Sequence, residues 1–151
     1  MFVLMLLLLY PLIAQSQSSL PALLPYPQKI EWLRQQTSIA KVMVENSTNT
    51  TFVEELLRKT GCNIAPSAPV KITISLKDSI AGVSVNQQEA YKLTVGKSII
   101  TIEACTETGI YYALQTMRQL TTRKKGNPQV QCCKILDWPA FSVRGFMHDT
   151  G

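Results

Sequence analysis

Few side chains in this sequence are of a kind that makes or breaks bonds, and their spacing limits what they do. His148 is the only histidine. A single imidazole suits a general base or a metal ligand near neutral pH. No second histidine or cysteine cluster accompanies it, and no H-E-x-x-H pattern is present. A structural role is the preferred reading of His148, and no metal site or cofactor is expected. Cys62, Cys105, Cys132 and Cys133 show neither ligand spacing nor a C-x-x-C pair. Cys132 and Cys133 are neighbours on a predicted strand, so their side chains point to opposite faces. Buried thiols and a disulfide formed after export both fit them. Glu54 and Glu55 are the only adjacent carboxylates, and they read as the solvated face of a helix. The net charge is +5, and the one tight basic run is Arg123-Lys124-Lys125, next to Gly126 and Pro128. It reads as a polar loop. A nucleic-acid surface calls for a basic stripe with interleaved aromatics, which is missing here.

The elements that must position these residues follow from periodicity. Lys29 to Leu33 and Ile39 to Val44 read as strands rich in apolar and β-branched residues. Thr51 stands three residues before Glu54, the capping-box spacing. Phe52, Val53, Leu56 and Leu57 then form an apolar stripe, and Glu55 and Lys59 are an i, i+4 pair. Gly61 falls where a left-handed helix cap is needed. Val70 to Lys77 alternates as a strand with one buried face. Tyr91 to Val95 and Ser98 to Ile102 flank Gly96-Lys97, which predicts a hairpin pairing Leu93 with Ile100 and Tyr91 with Ile102. A second helix is expected to follow Gly109, with Ile110, Ala113, Leu114, Met117 and Leu120 on its apolar face. A polar loop is expected from Thr121 to Pro128, a strand from Val130 to Ile135, a linker from Asp137 to Phe141 and a short strand from Val143 to His148. The fold class is α+β: a mostly antiparallel sheet with two helices packed on one face.

The chain of 151 residues with 46% hydrophobic content is enough for one sizeable core. Its first segment stands apart from it. Phe2 to Ala14 is almost wholly apolar and then turns polar at Gln15. A bilayer span needs about 18 or more apolar residues, so no stable membrane span is expected. The length suits the apolar part of an export signal occupying residues 1–18. No Lys or Arg precedes the run, and a buried strand or helix is the competing reading. Asn46-Ser47-Thr48 and Asn49-Thr50-Thr51 match the glycosylation sequon, which matters only in a eukaryotic secretory pathway.

The last third carries a resemblance. Tyr91-Lys92-Leu93-Thr94-Val95, the stretch from Gly109 to Leu120, Ile135-Leu136-Asp137-Trp138-Pro139-Ala140-Phe141 and Arg144-Gly145-Phe146-Met147-His148-Asp149 resemble, in order and spacing, the N-terminal domain of family 20 β-N-acetylhexosaminidases and the start of their catalytic barrel. Family 84 hydrolases carry a similar leading domain, but their barrel strand runs from Arg-Gly into a different sequence. The resemblance implies a leading domain at residues 20–136, and a linker with the first strand of a truncated (β/α)8 barrel at 137–151. It implies an exported enzyme, periplasmic or extracellular, or lysosomal in a eukaryote. That enzyme acts on N-acetylhexosamine-terminated glycans by substrate-assisted, retaining hydrolysis. The substrate's acetamido oxygen is the nucleophile in that reaction, and an adjacent Asp-Glu pair assists it. This chain has no such pair, so no residue here is expected to be catalytic and the chain alone is expected to hydrolyse nothing. Asp149 is the single substrate-site candidate: it ends the first barrel strand and would orient an Arg that the family places just after Gly151. Its competing role is a structural anchor for that strand. Arg144 reads as structural, and Trp138 and Phe141 as interdomain packing in preference to a sugar platform. A stand-alone carbohydrate- or protein-binding module, or the product of a decayed gene, is the alternative function.

Overall fold

The structure, a computed structural model, describes residues 20–46 and 51–145. The proposed export signal, the segment around the second sequon, and His148 and Asp149 lie outside the described residues. The elements in chain order are β1 (Lys29–Ser38), β2 (Lys41–Asn46), α1 (Thr51–Thr60), β3 (Asn63–Ile64), β4 (Val70–Leu76), β5 (Tyr91–Val95), β6 (Ile99–Ala104), α2 (Glu107–Leu120), β7 (Thr121–Lys124) and β8 (Asn127–Asp137). The strands form one sheet in the order β1-β8-β5-β6-β4-β2-β3, with β7 paired to β8. The α+β class stands, but the sheet is mixed. The strands β2, β3, β4 and β6 run parallel to their neighbours within that group, and every pairing that involves β1, β5, β7 or β8 is antiparallel. The parallel half arises because α1 carries the chain from β2 to its neighbour β4, a crossover that returns the next strand in the same direction. Residues 141–145 contain no strand, and the rest of the expected barrel strand lies beyond the described residues.

Both helices pack into one core. Val53 and Leu57 of α1 and Ile110, Ala113, Leu114, Met117 and Leu120 of α2 join Val42, Ile72, Ile74, Leu93, Ile100, Ile102 and Ile135 of the sheet in a single buried cluster. Helix α1 ends as expected. Gly61 takes φ +97°, its N–H donates to Arg58 O at 2.9 Å, and Cys62 N–H donates to Leu57 O at 3.0 Å. These are the two bonds of a Schellman cap. The Glu55 carboxylate lies 2.6 Å from Lys59, whose hydrogen bond holds it below the usual carboxylate range, and Glu54 lies 3.4 Å from Arg58. Helix α2 starts earlier than its apolar stripe suggests. Thr106 is the N-cap, its hydroxyl accepting from Gly109 N–H, so Gly109 lies inside the first turn.

The β5–β6 hairpin forms with a different register. Leu93 faces Ile102 and Val95 faces Ile100, leaving Lys97-Ser98 at the turn. Gly96 N–H donates to Ile99 O at 2.9 Å, and a Cβ at position 96 would lie 2.9 Å from that same oxygen. Glycine is therefore needed for close backbone approach just before the turn. The shift is by two residues, and side chains alternate with period two, so the same residues stay on the buried face. The expected loop from Thr121 to Pro128 is a second hairpin, with Lys124 opposite Asn127. Lys125 (φ 50°) and Gly126 (φ 81°) form its two-residue turn, the two positive values that a type I′ turn demands.

Strand β1 changes register between Trp32 and Gln36. The buried Gln131 amide donates to Leu33 O and, at 2.9 Å, to Gln35 O. A side chain thus supplies partners that the ladder cannot supply at a bulge. On the outer face, Lys71–Glu45, Lys92–Glu103 and Lys134–Glu31 pair across neighbouring strands at 2.5, 3.4 and 3.1 Å. All four cysteines are free, with Cys62, Cys132 and Cys133 buried and Cys105 half-buried. Burial pushes the Cys62 and Cys133 thiols up to about 12, which suppresses the reactive thiolate. A maleimide reagent at pH 7 is expected to label Cys105 in the folded protein and the other three only after denaturation. Mass spectrometry of the native sample showing a second labelled cysteine contradicts this packing.

Candidate functional site

A polar network joining three chain segments lies where β8 ends. Strand β8 delivers Asp137 opposite Tyr91, the first residue of β5. Tyr91 is buried, and its ring runs under α2 to bring its hydroxyl to Thr116 Oγ1 at 2.6 Å. The same hydroxyl donates to Asp137 Oδ2 at 3.2 Å, while Asp137 Oδ1 accepts the Gln28 N–H at 3.0 Å. A buried tyrosine needs a partner for its polar end, and here that partner ties three separate chain segments together. Burial, with a smaller contribution from the Asp137 charge, pushes the Tyr91 phenol well above its ordinary value; the Thr116 bond opposes this in part. Tyr91 therefore remains a protonated donor across the physiological range.

A groove of about 400 Å³ opens beside this network, between the segment Leu23–Gln28, the outer side of α2 and the segment that follows β8. Gln119 closes one end: its amide accepts from Leu24 N–H at 2.9 Å and donates to Leu24 O at 3.1 Å. Arg144 closes the other, ion-paired with Glu89 and donating to Phe141 O at 2.7 Å. Trp138 is half-buried against Ile80, Val83 and Ala90, with the Lys29 ammonium 5.6 Å above its ring. Its apolar body is thus engaged in packing within the domain. Phe141, 72% exposed, and Tyr26, 66% exposed, stand at the rim.

These groups build a brace and leave no acid–base pair free for chemistry. Asp137 is held by Tyr91 and Gln28, and Glu89 by Arg144. Glu54 and Glu55 stand on the exposed side of α1, each paired with a cation one turn on. Among the described residues, no three His, Cys, Asp or Glu side chains converge as a metal site. Every buried side-chain polar atom among them has a partner, and no helix among them is long and apolar enough to cross a membrane. The sequence places Asp137 and Trp138 in a linker motif, with Trp138 read as interdomain packing, and Thr116 and Gln119 within the second-helix motif, but it assigns no role to Asp137, Thr116 or Gln119. The available signal was a tyrosine on the buried face of an alternating strand, whose hydroxyl had to be satisfied somewhere.

Residues 20–138 match the family model described as glycosyl hydrolase family 20, domain 2. The chain belongs to that family, as its N-terminal domain. No curated protein sequence matches it. Among solved structures, it is similar to the family 20 exo-β-N-acetylglucosaminidase of Vibrio harveyi in complex with N-acetylglucosamine. That likeness has 27% identity and a TM-score of 0.58, over 81% of this chain and 20% of that one. It is similar to the chitobiase of Flavobacterium johnsoniae, at 24% identity and a TM-score of 0.57, over 83% of this chain and 22% of that one. CpGH84B shares the fold at 20% identity and a TM-score of 0.64, over 82% of this chain and 23% of that one. This family 20 domain thus spans about a fifth of the length of its first two solved relatives. Fold alone does not separate it from the family 84 protein; the sequence match over residues 20–138 does.

Proposed function

We propose that this domain is the non-catalytic leading part of an exported β-N-acetylhexosaminidase that removes terminal β-linked GlcNAc or GalNAc from glycans. The observation that carries the reading is the family match over residues 20–138, combined with a site whose carboxylates are all engaged in structural bonds. Catalysis on this reading belongs to a barrel whose linker and first strand occupy residues 137–151. There the substrate's own acetamido oxygen attacks the anomeric carbon and an Asp-Glu pair assists it. Asp149 contributes by orienting the sugar-binding Arg that follows this stretch, through a charge-assisted bond. Residues 1–18 direct export and are removed. The domain supplies a rigid support on which the barrel is seated.

The test begins with the gene. The frame is expected to continue past the Gly151 codon with an Arg codon and about 250 or more residues, including an adjacent Asp-Glu. The extended protein is expected to release 4-nitrophenol from 4-nitrophenyl N-acetyl-β-glucosaminide, and the 151-residue chain to release none. A stop codon directly after Gly151 overturns the enzyme reading. It favours a stand-alone glycan-binding module, for which the exposed rings of Tyr26 and Phe141 at the groove supply the observation.

A further inference from the structure

The connection between β4 and β5, residues 77–90, is longer than most connections inside a compact domain. Its inner structure is built with care. The Gln87 amide accepts from Ile80 N–H at 2.9 Å and donates to Val83 O at 2.7 Å and Ile80 O at 3.3 Å, folding the loop around one side chain. Asn86 holds φ 52° ahead of a single 3-10 turn at Gln87–Glu89. On one side the loop meets the corner ahead of α2, where the Thr106 hydroxyl donates to Gln88 O and Cys105 packs against it; on the other it meets the segment leaving β8. Ile80, Val83 and Ala90 pack against Leu136 and Trp138. Asn86 Nδ2 donates to Pro139 O at 2.7 Å. Glu89 takes the Arg144 guanidinium, whose second nitrogen donates to Phe141 O. Residues 141–145 are otherwise exposed and outside the sheet. We infer that loop 77–90 is a clamp that fixes the direction in which the chain leaves the domain, with Asn86, Glu89 and Arg144 as positioning residues for the catalytic part that follows. The role in catalysis rests on the function proposed above; the clamp itself does not.

Trypsin reads the clamp directly, because it must draw an arginine side chain into its own pocket. In the 151-residue chain, cleavage after Arg144 is expected to be slow relative to cleavage after Lys125 in the exposed β7–β8 turn. The Asn86→Ala/Glu89→Gln variant is expected to raise that ratio roughly tenfold, by opening the local structure while leaving the body folded. An unchanged ratio overturns the clamp. Far-UV circular dichroism monitors the body, and if the double variant is unfolded Glu89→Gln alone serves for the same comparison. In the extended protein, Glu89→Arg and Arg144→Glu are each expected to lower kcat/KM roughly tenfold, and their combination to restore most of it. Single variants with unaltered kcat/KM, or a combination without rescue, overturn the positioning role. An extended protein that hydrolyses nothing sinks the enzyme reading and leaves the proteolysis result standing.

Discussion

A Gly109→Ala variant is expected to lose about 3 kcal/mol of stability, the upper end of the usual cost of overpacking. The direction is the informative part. At an open position inside a helix, alanine is favoured over glycine by about 1 kcal/mol, so propensity alone makes this substitution stabilising. At position 109 a Cβ would lie 2.5 Å from Ala90 O and 2.8 Å from the Ala104 Cβ. Both neighbours are fully buried and belong to the sheet or its immediate approach. The nearest atom is backbone, so relief requires α2 to lift away from β5 and β6, and the lift would expose Ile110, Ala113 and Leu114, which are buried against that sheet. Urea denaturation followed by tryptophan fluorescence measures the change. A midpoint at or above that of the parent protein would mean that the first turn of α2 does not touch the sheet as described.

Gly109 also shows where the sequence is legible and where it is not. Its apolar stripe identifies α2 and the buried side of that helix, because helical periodicity is written in every turn. The true start, at Thr106, escapes that reading because Glu107 and Thr108 are exposed and break no pattern. The β5–β6 hairpin makes the same point more sharply. Alternation identifies both strands and their buried face, but a two-residue slip conserves that face and so leaves no trace in hydrophobicity. Backbone contact at Gly96 decides it, and glycine between two strands is equally compatible with lying in the turn or just ahead of it. The run Thr121 to Pro128 is polar because its hairpin is exposed, so composition cannot distinguish it from a loop. The mixed sheet order is a matter of long-range pairing, which local pattern does not encode.

The candidate site was legible only in fragments. Asp137-Trp138-Pro139 stands out as a motif, but its partners Gln28, Asn86 and Tyr91, with Thr116 behind Tyr91, come from separate stretches of chain, and no local pattern pairs them. The family is recognisable because the motif order survives, while the brace depends on pairings that only the fold creates. Asp149, the one substrate-site candidate in the sequence, lies outside the described structure, as does His148, read as structural; the described part shows how the chain leading toward them is held.

Tyr91 carries the second large expected effect. Tyr91→Ala removes a ring buried between β5 and α2 and is expected to cost about 3–5 kcal/mol. Tyr91→Phe keeps the ring and removes the bonds to Thr116 and Asp137, at an expected cost of about 1–2 kcal/mol. The pair of variants separates packing from the hydroxyl network, and pH tests the network further. The folded-state phenol titrates above its unfolded value, near 10, because burial disfavours the phenolate. A group raised in this way contributes its full stability below the unfolded value and loses it as pH rises toward the folded one. The advantage of the parent protein over Tyr91→Phe is therefore expected to be constant from pH 7 to about 9 and to shrink steadily above about 10. Cys62 and Cys133, raised to about 12 by burial, weaken the fold at alkaline pH with the same sign. They are present in both proteins and cancel in the comparison. Urea midpoints for the two proteins across this range are the measurement. An advantage that stays level above about pH 10 would mean that the Tyr91 hydroxyl is open to water, and one that grows with pH would mean that the fold favours the phenolate; either contradicts the buried network.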